Sequence, residues 1–131
     1  MANPYLNLYM NSPTAGGTDG TAISTDGTYT TPLTVILDAS TSETKVVKLG
    51  IRTESGYITN GNTIIADSGD TNDRWKLSLE SDTGWADSIT FTDTITTVNT
   101  IFYAKASSDS TEQPATDRSV SFNVTAVIQA V

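Results

Sequence analysis

"TIFYAKASSD" at residues 100–109 and "RSVSFNVTAVIQAV" at 118–131 decide the fold class of this chain. In the first run Phe102, Ala104 and Ala106 fall on one side, with Tyr103 and Lys105 on the other. In the second, Val120, Phe122, Val124, Ala126 and Ile128 share a side. A period of two belongs to a strand with one dry and one wet face, because successive side chains of a strand point to opposite sides. The polar segment between the runs contains Pro114, which cannot donate to a ladder, so the two read as a closing hairpin over a common core.

The same alternation recurs upstream. "RWKLSLE" (74–80) offers Trp75, Leu77 and Leu79 inward, and "SITFTDTI" (88–95) offers Ile89 and Phe91, with Ile95 and Val98 continuing nearby. In "TKVVKLGIRT" (44–53) Val47, Leu49 and Ile51 oppose Lys48, Gly50 and Arg52, and "LTVIL" (33–37) aligns Leu33, Val35 and Leu37. "YLNLYM" (5–10) sets Leu6, Leu8 and Met10 against Tyr5, Asn7 and Tyr9. Asn60-Gly61, between two β-rich runs in "GYITNGNTIIAD" (56–67), is the strongest hairpin signal in the chain. Apolar residues nowhere recur at helical spacing over the length an amphipathic helix needs. Thr is the commonest residue, and its β-branched side chain suits a pleated surface with one wet face. About seven to nine short strands separated by turns predict an all-β, antiparallel sandwich.

A chain of 131 residues is the size of one domain. Within it, residues 1–32 read as an N-terminal strand followed by a long Gly/Thr/Asp-rich loop or arm, and 33–131 as the β-sandwich. Residues 11–32 lack periodicity and carry the turn dipeptides Asp19-Gly20 and Asp26-Gly27. The expectation is that much of this segment contributes weakly to the fold and lies open to proteases.

Seven Lys and Arg against fifteen Asp and Glu give a formal net charge of −8, and Lys45, Lys48, Arg52, Arg74, Lys76, Lys105 and Arg118 are spread along the sequence. Neutralising a phosphate backbone needs clustered cations, so nucleic acid is not an expected partner, and an anionic membrane surface would repel the chain. No apolar run approaches the roughly 20 residues that span a bilayer, and Met1 to Leu6 lack the basic start and apolar stretch of a secretion signal.

The chain contains neither Cys nor His. Disulfides, thiolate nucleophiles and imidazole proton shuttles are therefore impossible. Glu43, Glu54, Glu80 and Glu112 show no paired arrangement of the kind glycoside cleavage uses, so no catalytic residue and no cofactor is assigned. Asp67, Asp70 and Asp73, with Asn72, offer hard oxygen ligands of the type calcium takes. Their spacing is not that of an EF-hand loop, and an Asx-rich turn in which Asp and Asn cap their own backbone is the preferred reading. No metal is therefore assigned. Trp75 runs in phase with Leu77 and reads as core, whereas Trp85 stands among small polar neighbours in "SDTGWADS" (81–88). Trp85, Tyr5, Tyr9 and Tyr29 are the candidate partner-contact residues.

Residues 74–127, through Trp75, Phe91, the Phe102-Tyr103-Ala104-Lys105-Ala106 run and Val120 to Val127, resemble the C-terminal half of immunoglobulin-like domains of bacteriophage virion and bacterial surface proteins. The resemblance implies an immunoglobulin-like sandwich, without the cysteine pair of antibody domains. It also implies a non-enzymatic structural role in a phage particle: a capsid decoration or other virion surface protein that docks on a capsid or tail lattice, with self-association as an option. The alternative from another class is a carbohydrate-binding or adhesion module, in which exposed Trp and Tyr stack on a host-surface glycan.

Overall fold

The structure, a computed structural model, describes residues 5–23, 37, 43–68, 74–107 and 121–131. Ten strands follow in order: β1 Leu6–Met10, β2 Thr21–Ala22, β3 Thr44–Thr53, β4 Tyr57–Thr59, β5 Thr63–Ser68, β6 Trp75–Ser78, β7 Ser88–Phe91, β8 Thr100–Ser107, β9 Ser121–Thr125 and β10 Ile128–Ala130. They form an antiparallel sheet in the order β2-β1-β3-β8-β6, a second in the order β7-β5-β9, and a two-stranded extension β10-β4. No helix occurs among the described residues. The chain is an all-β antiparallel sandwich.

The inward phases read from the sequence hold in the central strands. Leu49 and Ile51 of β3, Leu77 of β6, and Phe102 and Ala104 of β8 meet Ile65 of β5, Ile89 and Phe91 of β7, and Ile95 from a loop. Two edge-on aromatic pairs cross from sheet to sheet: Phe91 with Phe102 at 6.0 Å between ring centres, and Trp75 with Phe122 at 5.6 Å. Such pairs add about 0.5–1.5 kcal/mol to the area they bury.

The closing hairpin does not form. β8 lies between β3 and β6 in the first sheet, whereas β9 pairs with β5 in the second, so the two runs face each other across the core. Alternation specifies which side of a strand is dry, and a sandwich satisfies it as well as a hairpin does.

Asn60-Gly61 is also no hairpin turn. β4 and β5 run in the same direction as one interrupted strand, antiparallel to β10 and β9. Thr59 stands opposite Ile128 and Ile64 opposite Thr125, so residues 60–63 bulge against 126–127. Gly61 and Asn62 take positive φ (65° and 47°), and the Asn60 amide donates to the Val127 carbonyl. Left-handed backbone thus falls one residue later than a tight Asn60-Gly61 turn would need, on Gly61 and Asn62, and bends a long ribbon.

Leu79 lies beyond the end of β6 and is 47% exposed, and Val98 is exposed, both against the inward expectation. The proposed strand 33–37 lies outside the described residues except for Leu37, which is half-buried.

The N-terminal division also changes. β1 and β2 belong to the five-stranded sheet, and residues 11–20 form the connection of a β1–β2 hairpin that lies against the sheet. Residues 24–32 lie outside the described residues. Two junctions close the sandwich. Leu77 pairs with Ala86 at the edge of the first sheet, while the Asp67 amide donates to the Asp87 carbonyl in the second. At the other junction, Thr59 and Ile95 exchange hydrogen bonds, with Thr59 Oγ1 accepting from the Ile95 amide at 2.8 Å.

Candidate functional site

The outer face of the five-stranded sheet divides into a covered half and a bare half. The covered half is built around Gly50, whose missing side chain admits Pro13. A β-carbon there would stand 3.0 Å from Pro13 Cγ and 3.4 Å from Asn99 Cγ. Pro13 is fully buried, and the loop it starts is held by Asn99, only 4% exposed. The Gly16 amide donates to the Asn99 carbonyl and the Asn99 amide to the Gly17 carbonyl. Asn99 Nδ2 donates to Thr14 O and to Asp19 Oδ1 and O, while its Oδ1 accepts from Arg52 Nη1 at 2.7 Å.

Arg52 is the hub of this cluster. Besides Asn99 it donates to Asp19 O at 2.7 Å, and its guanidinium lies 3.5 Å from the centre of the Tyr9 ring. Tyr9 Oη and Asn7 Nδ2 both donate to Glu54 Oε1. Burial, opposed by Arg52 and reinforced by Glu54, raises the Tyr9 hydroxyl pKa above its ordinary value. Donation from the Thr14 amide, and then from its hydroxyl, holds the Asp19 carboxyl below the usual carboxylate range. Every polar group here has a partner inside the cluster, which makes the arrangement a clasp for residues 13–20. The expectation of a loosely held segment is corrected for 11–23.

Beyond Gly50 the 11–20 loop no longer covers the face; residues 79–84 close over Ser78 at its far side, only 2% exposed, while Lys48, Lys76, Tyr103 and Lys105 are half-buried. In one row Val46 of β3 stands beside Lys105 of β8, and Lys105 beside Lys76 of β6. In the next row Lys48 stands beside Tyr103, and Tyr103 beside Ser78. Trp85 and Asp87 flank Ala86 and complete the rows, since Lys76 Nζ bonds Asp87 Oδ1 and Lys105 Nζ lies 4.8 Å from the centre of the Trp85 ring. Val46 is 46% exposed. Lys48 makes no ion pair or hydrogen bond through its side chain among the described residues. Lys48, Lys76 and Lys105, spread along the sequence, thus share one face, with Lys76 paired to Asp87. Strand register brings them together, and register is not visible in a single run.

The candidate contact residues separate. Trp85 borders the bare half, half-buried. Tyr5 is exposed and meets Tyr57 edge-on at 4.9 Å, at the opposite end of the sheet. Tyr9 is only 6% exposed, under Arg52, which removes it from any contact surface. Tyr29 lies outside the described residues, as do Asp70, Asn72 and Asp73. Asp67 sits half-buried in β5. Among the described residues no three acidic side chains are grouped to hold a metal ion. A separate open groove of about 480 Å³ is lined by Leu79, Phe91, Asp93, Thr94 and Ile101 among others, with no charge pair in it.

Compared with protein-family models, with curated proteins and with solved structures, the chain matches none.

Proposed function

We propose that the chain is a non-enzymatic structural protein of a phage particle, an immunoglobulin-like sandwich that docks on a capsid or tail lattice. The observation that carries this reading is the open half of this face, where exposed Val46 stands with half-buried Tyr103, Trp85 and lysines. Aromatic side chains flanked by polar groups are the composition of protein contact surfaces. The resemblance of residues 74–127 to virion domains and the lack of His and Cys point the same way. The sugar-platform alternative is weakened, because Tyr9 is buried and the Lys105 ammonium occupies one face of Trp85.

The test is the composition of the particle. Virions purified from a host producing this chain should yield its peptides by mass spectrometry at a constant ratio to the major capsid or tail protein. Consistent absence from intact particles would overturn the proposal.

A further inference from the structure

We propose that the bare half of the five-stranded sheet's outer face, centred on Lys48, Lys105 and Tyr103, is a receptor for an acidic polypeptide segment. Three observations combine. First, charge is segregated: Lys48, Lys76 and Lys105 lie in adjacent strands on one face, leaving four of the seven cations for the rest of a chain with fifteen acids. Second, nearby acids already have partners. Asp87 is bonded to Lys76 and Glu43 pairs with Lys45, so neither neutralises Lys48. Third, the patch is mixed, with exposed Val46 and the ring of Tyr103 between the lysines, so a bound segment gains apolar contact as well as charge pairing.

The surface selects among anions. A nucleic acid would extend past three lysines onto a protein of net charge −8 and meet repulsion there, whereas a short acidic segment ends with the patch. A glycan stacks on open aromatic faces, and one face of Trp85 is already taken by Lys105. The two rows lie two residues apart along the strands, roughly 6.4–6.8 Å, which is the spacing at which alternate carboxylates of an extended peptide recur on one side.

The inference rests on the docking reading only in assigning the segment to a lattice subunit, and its test is kept separate from particles. The probe is a fluorescently labelled ten-residue polyglutamate peptide, titrated with the full-length protein at low ionic strength. Binding is expected to saturate, to weaken at least tenfold on moving to physiological salt, and to fall at least tenfold in Lys48→Glu/Lys105→Glu. Lys45 alternates to the opposite side of β3, so Lys45→Glu should leave affinity within about twofold of wild type. Tyr103→Ser should lower it several-fold with charge unchanged. Circular dichroism and thermal melting establish that each variant is folded.

Absence of saturable binding would overturn the proposal, as would equal losses in the Lys45 and Lys48/Lys105 variants. Tighter binding of an oligogalacturonate through the same lysines would replace the peptide by an acidic glycan. If the peptide binds as expected but the chain is absent from virions, the receptor stands and the phage role falls. If the chain is present in virions but does not bind peptide, the reverse holds.

Discussion

Replacing Asn99 by Ala tests whether residues 13–20 are clasped to the sandwich. Asn99 Nδ2 has three acceptors in Thr14 and Asp19, and Oδ1 accepts from the charged Arg52. A hydrogen bond between neutral groups contributes about 0.5–1.5 kcal/mol net, and one to a charged group about 1.5–3 kcal/mol. Thr14 and Asp19 are exposed, so water can replace part of what their oxygens lose, and Arg52 keeps Asp19 O and the Tyr9 ring. The expected cost is therefore about 2–3 kcal/mol, a large share of the roughly 5–15 kcal/mol that holds a domain together. Urea unfolding measures it as a lower midpoint at unchanged slope. Limited proteolysis of the folded variant should cut within residues 13–20, where wild type resists. Asn99→Asp discriminates further: it keeps the shape and an acceptor for Arg52, but turns an oxygen toward Asp19 Oδ1, where a donor stood at 3.0 Å. That variant should be destabilised near neutral pH and recover as the new carboxyl is protonated. A loss below about 0.5 kcal/mol for Asn99→Ala, with no new cleavage, would refute the clasp.

The remaining predictions are shorter. Phe102→Ala, at a fully buried site, should cost about 3–5 kcal/mol by urea denaturation, and Phe122→Ala, half-buried against Trp75, about 2 kcal/mol. Thr59→Val should be destabilising because Thr59 Oγ1 accepts from the Ile95 amide, whereas Thr63→Val should raise stability by up to about 1 kcal/mol because the buried Thr63 hydroxyl has no partner among the described residues. Gly50→Ala should cost about 1–3 kcal/mol by pressing a methyl group on Pro13. The Asp19 carboxyl has a lowered folded pKa, so its contribution is complete above the ordinary carboxylate value and is lost as pH falls through the lowered one. The Thr14 amide resonance should report that release in an acid titration, and Asp19→Asn should abolish the pH dependence. Tyr9, with its pKa raised above 10.0, contributes stability that is complete below that value and is lost as pH rises through the folded pKa, which tyrosinate absorbance can follow.

Fold class was legible because period-two alternation is imposed locally by a dry side and a wet side, and Leu49, Ile51, Phe102 and Ala104 all point where their pattern says. Pairing was not legible. Whether β8 meets β9 edge to edge or across the core leaves the pattern of each unchanged, and Gly61 with positive φ serves a bulge, together with Asn62, as readily as a tight turn. β1 misled in another way. Its polar side, Asn7 and Tyr9, is as buried as Leu8, because Glu54, Arg52 and the 11–20 loop cover it with hydrogen-bonding groups that hydrophobic periodicity does not register. For the candidate site, Trp85 stood out as an aromatic among small polar residues. Its companions Lys48, Tyr103 and Lys105 did not, since only the β3–β8 register joins them.

Both halves of the outer face follow from one rule about covering a sheet. Around Gly50 the strands present a glycine, an asparagine and an arginine whose donors and acceptors the chain can meet from its own loop, so Pro13 can close over them without stranding a charge. At Lys48 and Lys105 the same loop would have to bury ammonium groups. Burying an unpaired charge costs several kcal/mol even after relaxation, on the order of what the whole clasp supplies. A cover for that half must therefore bring its own carboxylates, since among the described residues Glu43 pairs with Lys45, Glu54 accepts from Asn7 and Tyr9, and Asp87 is bonded to Lys76. Placing Asp at Val46, 46% exposed and beside Lys105, would supply such a carboxylate internally. Val46→Asp should therefore weaken polyglutamate binding more than Val46→Asn does. Comparing the two separates the field of the patch from the loss of the Val46 side chain, because Asp and Asn have the same shape and differ in charge.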